Sequence, residues 1–148
     1  MYITRMTKPT EITIQAWVTL IRAHQAAFSA VEKSLKEKNL PPLIWYDVLL
    51  ELDRVGKEGL RPFELEGALL LPQYQISRII ERIEKSGHLR RQSCEDDGRG
   101  QRLYITASGK ALRREMWPIY ANALERAVGA KISAKDAKMM SEILSKLI

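Results

Sequence analysis

The chain has little of what catalytic, disulfide-bonded and membrane-spanning proteins depend on. It has one cysteine, Cys94, and two histidines, His24 and His88, among 148 residues. One cysteine excludes an internal disulfide and fits a reducing compartment. No apolar run approaches the length of a membrane span, and residues 1–9 lack the apolar core and cleavage site of an export signal. These absences favour a cytoplasmic protein with no cofactor.

The same scarcity argues against an enzyme and against a metal site. His24 shares the apolar stripe of a predicted helix, and His88 follows a glycine that closes another helix. Acidic residues follow Cys94 directly, and the sequence places no general base beside it. The three side chains show no metal-ligand spacing. The sequence therefore predicts no catalytic residue and no bound metal.

The positive charge of the chain is localised. The net charge is +6, yet residues 44–71 have six acidic and three basic side chains. Residues 72–114 have ten basic and five acidic side chains. A basic surface confined to one segment favours an anionic partner for that segment.

Apolar spacing predicts a mainly α-helical chain that forms a single domain over residues 1–148. Thr10 is a plausible N-cap for a long helix whose apolar stripe recurs in steps of three and four residues up to Leu35. A second helix covers "LIWYDVLLELDRVG", Pro62 begins a short third helix, and a fourth covers residues 73–85. Thr106 and Ser133 are N-cap candidates for the last two helices.

The periodicity changes between Gly87 and Thr106. The runs "HLRRQSC" and "QRLYIT" alternate as strands do, and "EDDGRG" between them has the length of a hairpin loop. Helix, short helix, helix and two-stranded ribbon is the order of a winged helix-turn-helix. The fourth helix would then be the recognition helix that enters the major groove of DNA.

The polar face of this fourth helix provides the predicted DNA-binding residues. If its isoleucines face the core, its polar side chains face outward, where they can contact bases and phosphates. The candidates are Gln73, Tyr74, Gln75, Ser77, Arg78 and Arg82. At the ribbon tip, Arg99 lies between two glycines and can enter a narrow minor groove, with Asp97 orienting its guanidinium. The alternatives are a solvated helix face and a solvated acidic turn.

The run "IEKSGHLRRQSCEDDGRGQRLYITASGKAL" resembles the signature of the MarR family of transcriptional regulators. The matching positions are Ile83, Gly87, Leu89, Arg91, Asp97, Arg99, Thr106 and Gly109. One departure is Gly98, because many members have an arginine at that position, and it removes one expected wing contact.

This resemblance implies a homodimer that reads a pseudo-palindromic DNA operator. Residues 10–39 and 107–148 would be dimerisation helices, and residues 43–106 the DNA-binding lobe. The expected dimer contacts on the last helix are Met140, Ile143, Leu144 and Leu147. The resemblance implies a transcriptional regulator. More specifically, we expect a repressor that a small-molecule effector releases from DNA. The alternative is a winged helix that serves as a protein-interaction or architectural DNA-binding module.

Aromatic residues suggest where a small aromatic effector could bind. Family effector pockets lie between the dimerisation helices and the DNA-binding lobe, and the candidates there are Trp17, His24, Trp45 and Tyr46. The alternative is that these side chains are ordinary core residues, which aromatic residues at helical spacing usually are.

Overall fold

The computed structural model describes residues 7–70, 75–93 and 100–148. The described elements are α1 (Glu11–Glu37), α2 (Leu43–Val55), α3 (Pro62–Ala68), α4 (Ile76–Lys85), β1 (Leu89–Ser93), β2 (Gln101–Ile105), α5 (Ala107–Leu124) and α6 (Ala134–Leu144). Short 3-10 turns follow α2 and α6, and a π-helical turn follows α5. This order confirms the predicted fold class, a mainly α-helical chain with a two-stranded β-wing. None of the described helices is both long and apolar enough to cross a membrane.

Three helices begin at the hydroxyl caps that the sequence predicts. The Thr10 hydroxyl oxygen accepts a hydrogen bond from the Thr13 amide at 3.2 Å, and Thr106 accepts one from the Gly109 amide at 3.1 Å. Ser133 accepts from the Asp136 amide at 3.0 Å. Each bond satisfies an amide that has no partner inside the helix, which typically stabilises a helix by about 1 kcal/mol.

The first residues of helices α3 and α4 can be compared with the predicted starts. Pro62 occupies the first position of α3, as predicted. Helix α4 begins at Ile76, with Gln75 in the cap position. The predicted start at Gln73 lies outside the described residues.

Two apolar clusters hold the chain together, and α2 contributes to both. The first lies in the winged lobe and contains Val48, Leu49, Leu52, Leu65, Ile76, Ile80, Ile83, Leu89 and Leu103. The second lies between the long helices and contains Val31, Leu35, Tyr46, Met116 and Ala123. Because neighbouring residues on α2 point into different clusters, the lobe and the long helices share one rigid element.

Part of the predicted apolar stripe of α1 is left exposed by the described residues of the chain. Val31 and Leu35 are buried, whereas the Trp17 side chain is 63% exposed and Ile21 is 37% exposed. Helix α6 and the 3-10 turn after it have a similar face, on which Met140, Ile143 and Leu147 are all exposed. The spacing therefore identified the apolar faces correctly but could not say which of them another part of the same chain would cover.

The ribbon is antiparallel and packs by its inner face on the lobe. Leu89 pairs with Ile105, and Arg91 pairs with Leu103. The Leu60 amide donates to the Leu103 carbonyl at 3.0 Å, and the Leu103 amide donates to the Leu60 carbonyl at 2.7 Å. This extra pairing anchors β2 to the segment before α3, and the sequence analysis did not predict it.

Candidate nucleic-acid interface and adjoining cavity

Helix α4 presents a polar face to solvent. Ile76, Ile80 and Ile83 are buried. The exposed side chains of the helix are Ser77, Arg78, Glu81, Arg82 and Lys85. This is the division that the isoleucine spacing predicts, since a helix advances by about 100° per residue.

The basic residues on this face differ in whether they form ion pairs with other described residues. Lys85 forms an exposed ion pair with Glu81 at 3.1 Å, one turn earlier on the same helix. Arg78 and Arg82 have no ion-pair partner within the described parts of the chain. An exposed arginine without an intramolecular partner can bind phosphate or guanine without first breaking a salt bridge.

The C-terminal end of α4 is tied to the base of the ribbon at Gly87. This residue has φ +82°, which a side chain would disfavour. Its carbonyl accepts hydrogen bonds from the Thr106 hydroxyl at 2.7 Å and from the Ser108 hydroxyl at 2.8 Å. Gly109 passes so close to the His88 carbonyl that a Cβ there would collide with it. The glycine and threonine positions of the family signature therefore form one junction between α4, β1 and α5.

A second contact fixes the angle between α4 and the ribbon. The Glu84 carboxylate forms an ion pair with the Arg91 guanidinium at 3.0 Å, and both side chains are about one-third exposed. Arg91 also donates a weaker hydrogen bond to Gln101 on β2 at 3.4 Å. Arg91 therefore connects the helix with both strands. This connection gives a structural reason for an arginine at that position of the signature.

The outer face of the ribbon carries further basic side chains. The Arg90 guanidinium lies 4.4 Å from the centre of the Tyr104 ring and donates to the Gln92 side chain at 2.9 Å. Arg102 donates to the Glu58 carbonyl at 3.2 Å. Sequence reasoning did not select these residues, although strand alternation places Arg90, Gln92, Arg102 and Tyr104 on one face.

The predicted DNA-binding residues divide into two groups. The structure places Gln75, Ser77, Arg78 and Arg82 on the exposed side of α4 or at its start. Gln73, Tyr74, Asp97 and Arg99 lie outside the described residues. Among the residues that are described, no group of three or more His, Cys, Asp or Glu side chains could hold a metal ion.

An apolar cavity of about 550 Å³ lies between α1, α2 and α5. Its lining residues are His24, Ala27, Phe28, Val31, Leu43, Ile44, Tyr46, Asp47, Leu50, Arg54, Leu70, Trp117, Tyr120 and Leu124. Tyr46, Trp117 and Tyr120 form a mutual cluster with ring centres 5.2 to 5.9 Å apart. A cavity of this size and lining is of the kind that binds small organic molecules.

Two of the four predicted effector-binding residues line this cavity. His24 and Tyr46 do so, and the His24 ring stacks on Phe28 with centres 5.9 Å apart. Trp17 lies on the exposed part of α1, outside the lining. Trp45 packs against the lobe cluster and meets the His88 ring edge-on, at 6.3 Å between centres. Trp45 therefore faces the lobe cluster, whereas the adjacent Tyr46 faces the cavity.

The cavity includes one buried carboxyl group, that of Asp47. The residue is 6% exposed, and its Oδ2 accepts a hydrogen bond from the Leu70 amide at 2.8 Å. Burial raises the pKa of Asp47, while the Leu70 hydrogen bond and the charge of Arg54 act in the opposite direction. Burial also raises the pKa of Tyr120, and the nearby Asp47 carboxylate raises it further. Leu70 immediately precedes the segment that leads to α4, so Asp47 joins the cavity to the helix-turn-helix.

A salt bridge also links the long helix α5 to the lobe. The Arg113 guanidinium contacts the Asp53 carboxylate of α2 at 2.6 Å, and both side chains are 22% exposed. Together with Asp47, this contact makes α2 the element through which the long helices and the lobe are connected.

Comparison with known proteins agrees with this geometry. The profile described as the MarR family matches residues 38–100, which include α2, α3, α4 and β1. Transcriptional repressor MprA of Escherichia coli strain K12 is 27% identical over 116 residues, covering 78% of this chain. The chain spans about 65% of the length of that relative.

Solved structures share the fold over nearly the whole chain. A MarR family transcriptional regulator from Streptomyces coelicolor, in complex with DNA, has a TM-score of 0.87 and 24% identity. The alignment covers 97% of this chain and 90% of that one. An organohalide sensing transcriptional regulator in its 2,4-dichlorophenol bound form has a TM-score of 0.79 and 19% identity. The alignment covers 99% of this chain and 88% of that one.

Proposed function

We propose that the chain is a MarR family transcriptional regulator, because the family profile matches its winged lobe over residues 38–100, and that it binds double-stranded DNA sequence-specifically. The observation that supports this most directly is the exposed face of α4, where Arg78 and Arg82 carry charge with no ion-pair partner in the described chain. The rigid junction to the ribbon would let helix and wing meet one duplex together. A DNA target places this activity in the cytoplasm, and no catalytic role is part of the proposal.

In the proposed complex, α4 enters the major groove. Gln73, Tyr74, Gln75, Ser77 and Arg78 are the residues near its start, which reach deepest in such complexes. Glutamine can pair with adenine and arginine with guanine through two hydrogen bonds each, whereas serine suits a phosphate oxygen. Arg82, one turn further along, is assigned to the DNA backbone.

The wing is assigned to the adjacent minor groove. Arg99 would insert there, and Asp97 would restrict the directions in which its guanidinium points. Arg90 and Arg102 on the outer face of the ribbon would add contacts to phosphate.

We further propose that the active form is a homodimer. The exposed apolar faces of α1 and α6 are the surfaces that dimerisation would cover, with Met140, Ile143, Leu144 and Leu147 at the contact. Two lobes related by a two-fold axis would read a pseudo-palindromic operator.

The proposed regulation is repression that a small-molecule effector relieves. The cavity between α1, α2 and α5 is the proposed binding site, and Asp47 connects it to the residue that precedes the α3–α4 turn. A ligand that binds better to a dimer with misplaced recognition helices would shift the population away from DNA. One solved regulator with this fold holds 2,4-dichlorophenol, and a DNA complex is known for another.

Two arginine variants test the DNA-binding mode. Operator fragments would be selected from genomic DNA and titrated by fluorescence anisotropy at several salt concentrations. Arg78→Ala should relax base preference, and Arg99→Ala should weaken binding and reduce the salt slope by about one unit. Unchanged titrations for both variants would contradict the assigned interface. A small ratio of operator to bulk-DNA affinity would instead favour an architectural binder.

A further inference from the structure

The cavity between α1, α2 and α5 combines aromatic faces with one buried acid. The rings of Phe28, Tyr46, Trp117 and Tyr120 all contribute to its lining. Aromatic faces carry partial negative charge and attract organic cations. The burial of Tyr120 keeps its hydroxyl protonated over a wider pH range, so its ring stays a neutral aromatic surface.

The Asp47 carboxyl group has capacity left for a ligand. Oδ2 accepts the Leu70 amide, and no other described residue donates a hydrogen bond to the carboxyl group. Since no side-chain oxygen of the described residues is both buried and without a partner, Oδ1 remains accessible, and Asp47 lines the cavity. A carboxylate with one occupied oxygen in an apolar cavity gains free energy from a cation placed beside it.

The basic side chains of the cavity lining, Arg54 and His24, lie toward solvent. The Arg54 side chain is 64% exposed and forms an ion pair with Glu51 at 3.2 Å. His24 is an exposed residue whose ring stacks on Phe28. Neither side chain forms a hydrogen bond or ion pair with the Asp47 carboxyl oxygens, so no cation of the described chain is paired with the buried acid.

We propose that this cavity binds an organic cation with an aromatic or apolar body, and that the Asp47 carboxylate is its counter-ion. The aromatic cluster surrounds the body of the ligand, and the charged centre lies at Oδ1. The effect on DNA binding rests on the proposed regulator function. A cation at Oδ1 shares the Asp47 carboxylate with the Leu70 amide, which is bonded to Oδ2, so occupancy acts on the side chain that holds the backbone before the α3–α4 turn.

A pair of probes with matched shape and opposite charge tests the proposal. Tetraphenylphosphonium and tetraphenylborate would be titrated separately into the full chain by isothermal calorimetry. The phosphonium should bind about tenfold or more tightly than the borate, the size expected of one charge contact. The net charge of +6 favours the borate at long range, so this preference cannot arise from the overall field. Equal affinities, or tighter borate binding, would overturn the proposal.

Three variants test whether the Asp47 carboxylate is the counter-ion of the bound phosphonium. Asp47→Asn keeps an acceptor for the Leu70 amide and should lower phosphonium affinity about tenfold. Glu115→Gln removes the same charge from an exposed position of α5 outside the lining, and should retain the phosphonium preference. Trp117→Leu, at a 46% exposed position, should lower affinity about threefold by loss of a ring face. Phosphonium affinity that is unchanged in Asp47→Asn would assign the charge contact elsewhere and contradict the proposal.

Operator binding is measured separately, so that failure of the cation site can be distinguished from failure of the proposed DNA-binding function. In the wild-type protein, saturating phosphonium should weaken operator binding, whereas Asp47→Asn should respond less at the same concentration. A protein that binds the phosphonium but no operator refutes the proposed function and leaves the cation site intact. A protein that binds operator but shows no preference for the phosphonium refutes only the cation site.

Discussion

The carboxylate of Glu84, near the end of α4, lies 3.0 Å from the guanidinium of Arg91 on β1. This pair joins the proposed recognition helix to the ribbon. Each side chain is about one-third exposed, so the pair stabilises the fold little, on the order of 0.2–1 kcal/mol. Its larger effect is expected on the relative positions of two DNA-contacting elements.

Loss of this pair should impair DNA binding more than stability. Arg91→Gln is expected to weaken operator binding about tenfold through misalignment and loss of one positive charge, with a free energy of unfolding lowered by less than about 1 kcal/mol. Anisotropy titration and urea denaturation measure the two effects. The control is Glu81→Gln, which breaks the exposed pair with Lys85 and removes a negative charge from the DNA-facing side. That variant should bind operator more tightly, and equal losses in both variants would contradict the positioning role.

Gly109 should be intolerant of even one added methyl group. Gly109→Ala would place a Cβ against the His88 carbonyl at the junction of α4, β1 and α5. We expect the free energy of unfolding to fall by about 1–3 kcal/mol, as in other overpacked sites. Urea denaturation checks this, with Gly67→Ala as control because a Cβ at Gly67 meets nothing within 4 Å. A Gly109→Ala protein as stable as wild type would refute the close contact.

Charged residues on α6 should prevent dimerisation. Leu147 is 69% exposed and Leu144 is partly buried on the same helix end. In the double variant Leu144→Glu, Leu147→Glu, an interface would have to bury two carboxylates, so we expect monomers in sedimentation at micromolar concentration. Lys135→Glu changes charge at an exposed polar position of α6 and should remain dimeric. A dimer that persists in the double variant would exclude the end of α6 from the interface.

Stability should depend on pH through Asp47. Because burial raises the pKa of Asp47 above its usual 3.8, the native state holds this proton more tightly than the unfolded chain. The contribution of Asp47 to stability is therefore greatest at low pH and falls as pH rises from about 3.8 through the higher native pKa. Asp47→Asn should be at least as stable as wild type at pH 7, and its relative advantage should shrink as pH falls toward 4. Thermal melts of both proteins across this pH range test the prediction. If the stability of Asp47→Asn relative to wild type increased as pH falls, folding would lower the pKa of Asp47 instead of raising it.

The sequence predicted local structure well because local structure depends on local chemistry. The hydroxyl caps at Thr10, Thr106 and Ser133 are confirmed, as is the left-handed turn at Gly87. The isoleucine spacing of α4 correctly separated its buried and exposed faces. These features depend on residues within one or two helical turns, so the residue types and their spacing in the sequence are enough to predict them.

The candidate sites were predicted less completely, because they combine residues that are distant in sequence. His24 and Tyr46 line the cavity, but Trp17 and Trp45 do not, and Asp47 was not predicted as an effector-binding residue. Aromatic composition indicates that ring surfaces exist, and only the packing of α1, α2 and α5 decides which rings meet. The DNA-binding assignments of Gln73, Tyr74, Asp97 and Arg99 remain predictions.

By itself, the sequence determined the order of helices and strands, the hydroxyl caps at Thr10, Thr106 and Ser133, and the apolar faces of the helices, because these follow from short-range sterics, hydrogen bonding and side-chain periodicity. Only the tertiary structure decided that Asp47 would be buried against the Leu70 amide and that Arg91 would reach Glu84. Those contacts depend on the angles at which helices and strands pack, and these angles result from filling two shared cores without voids.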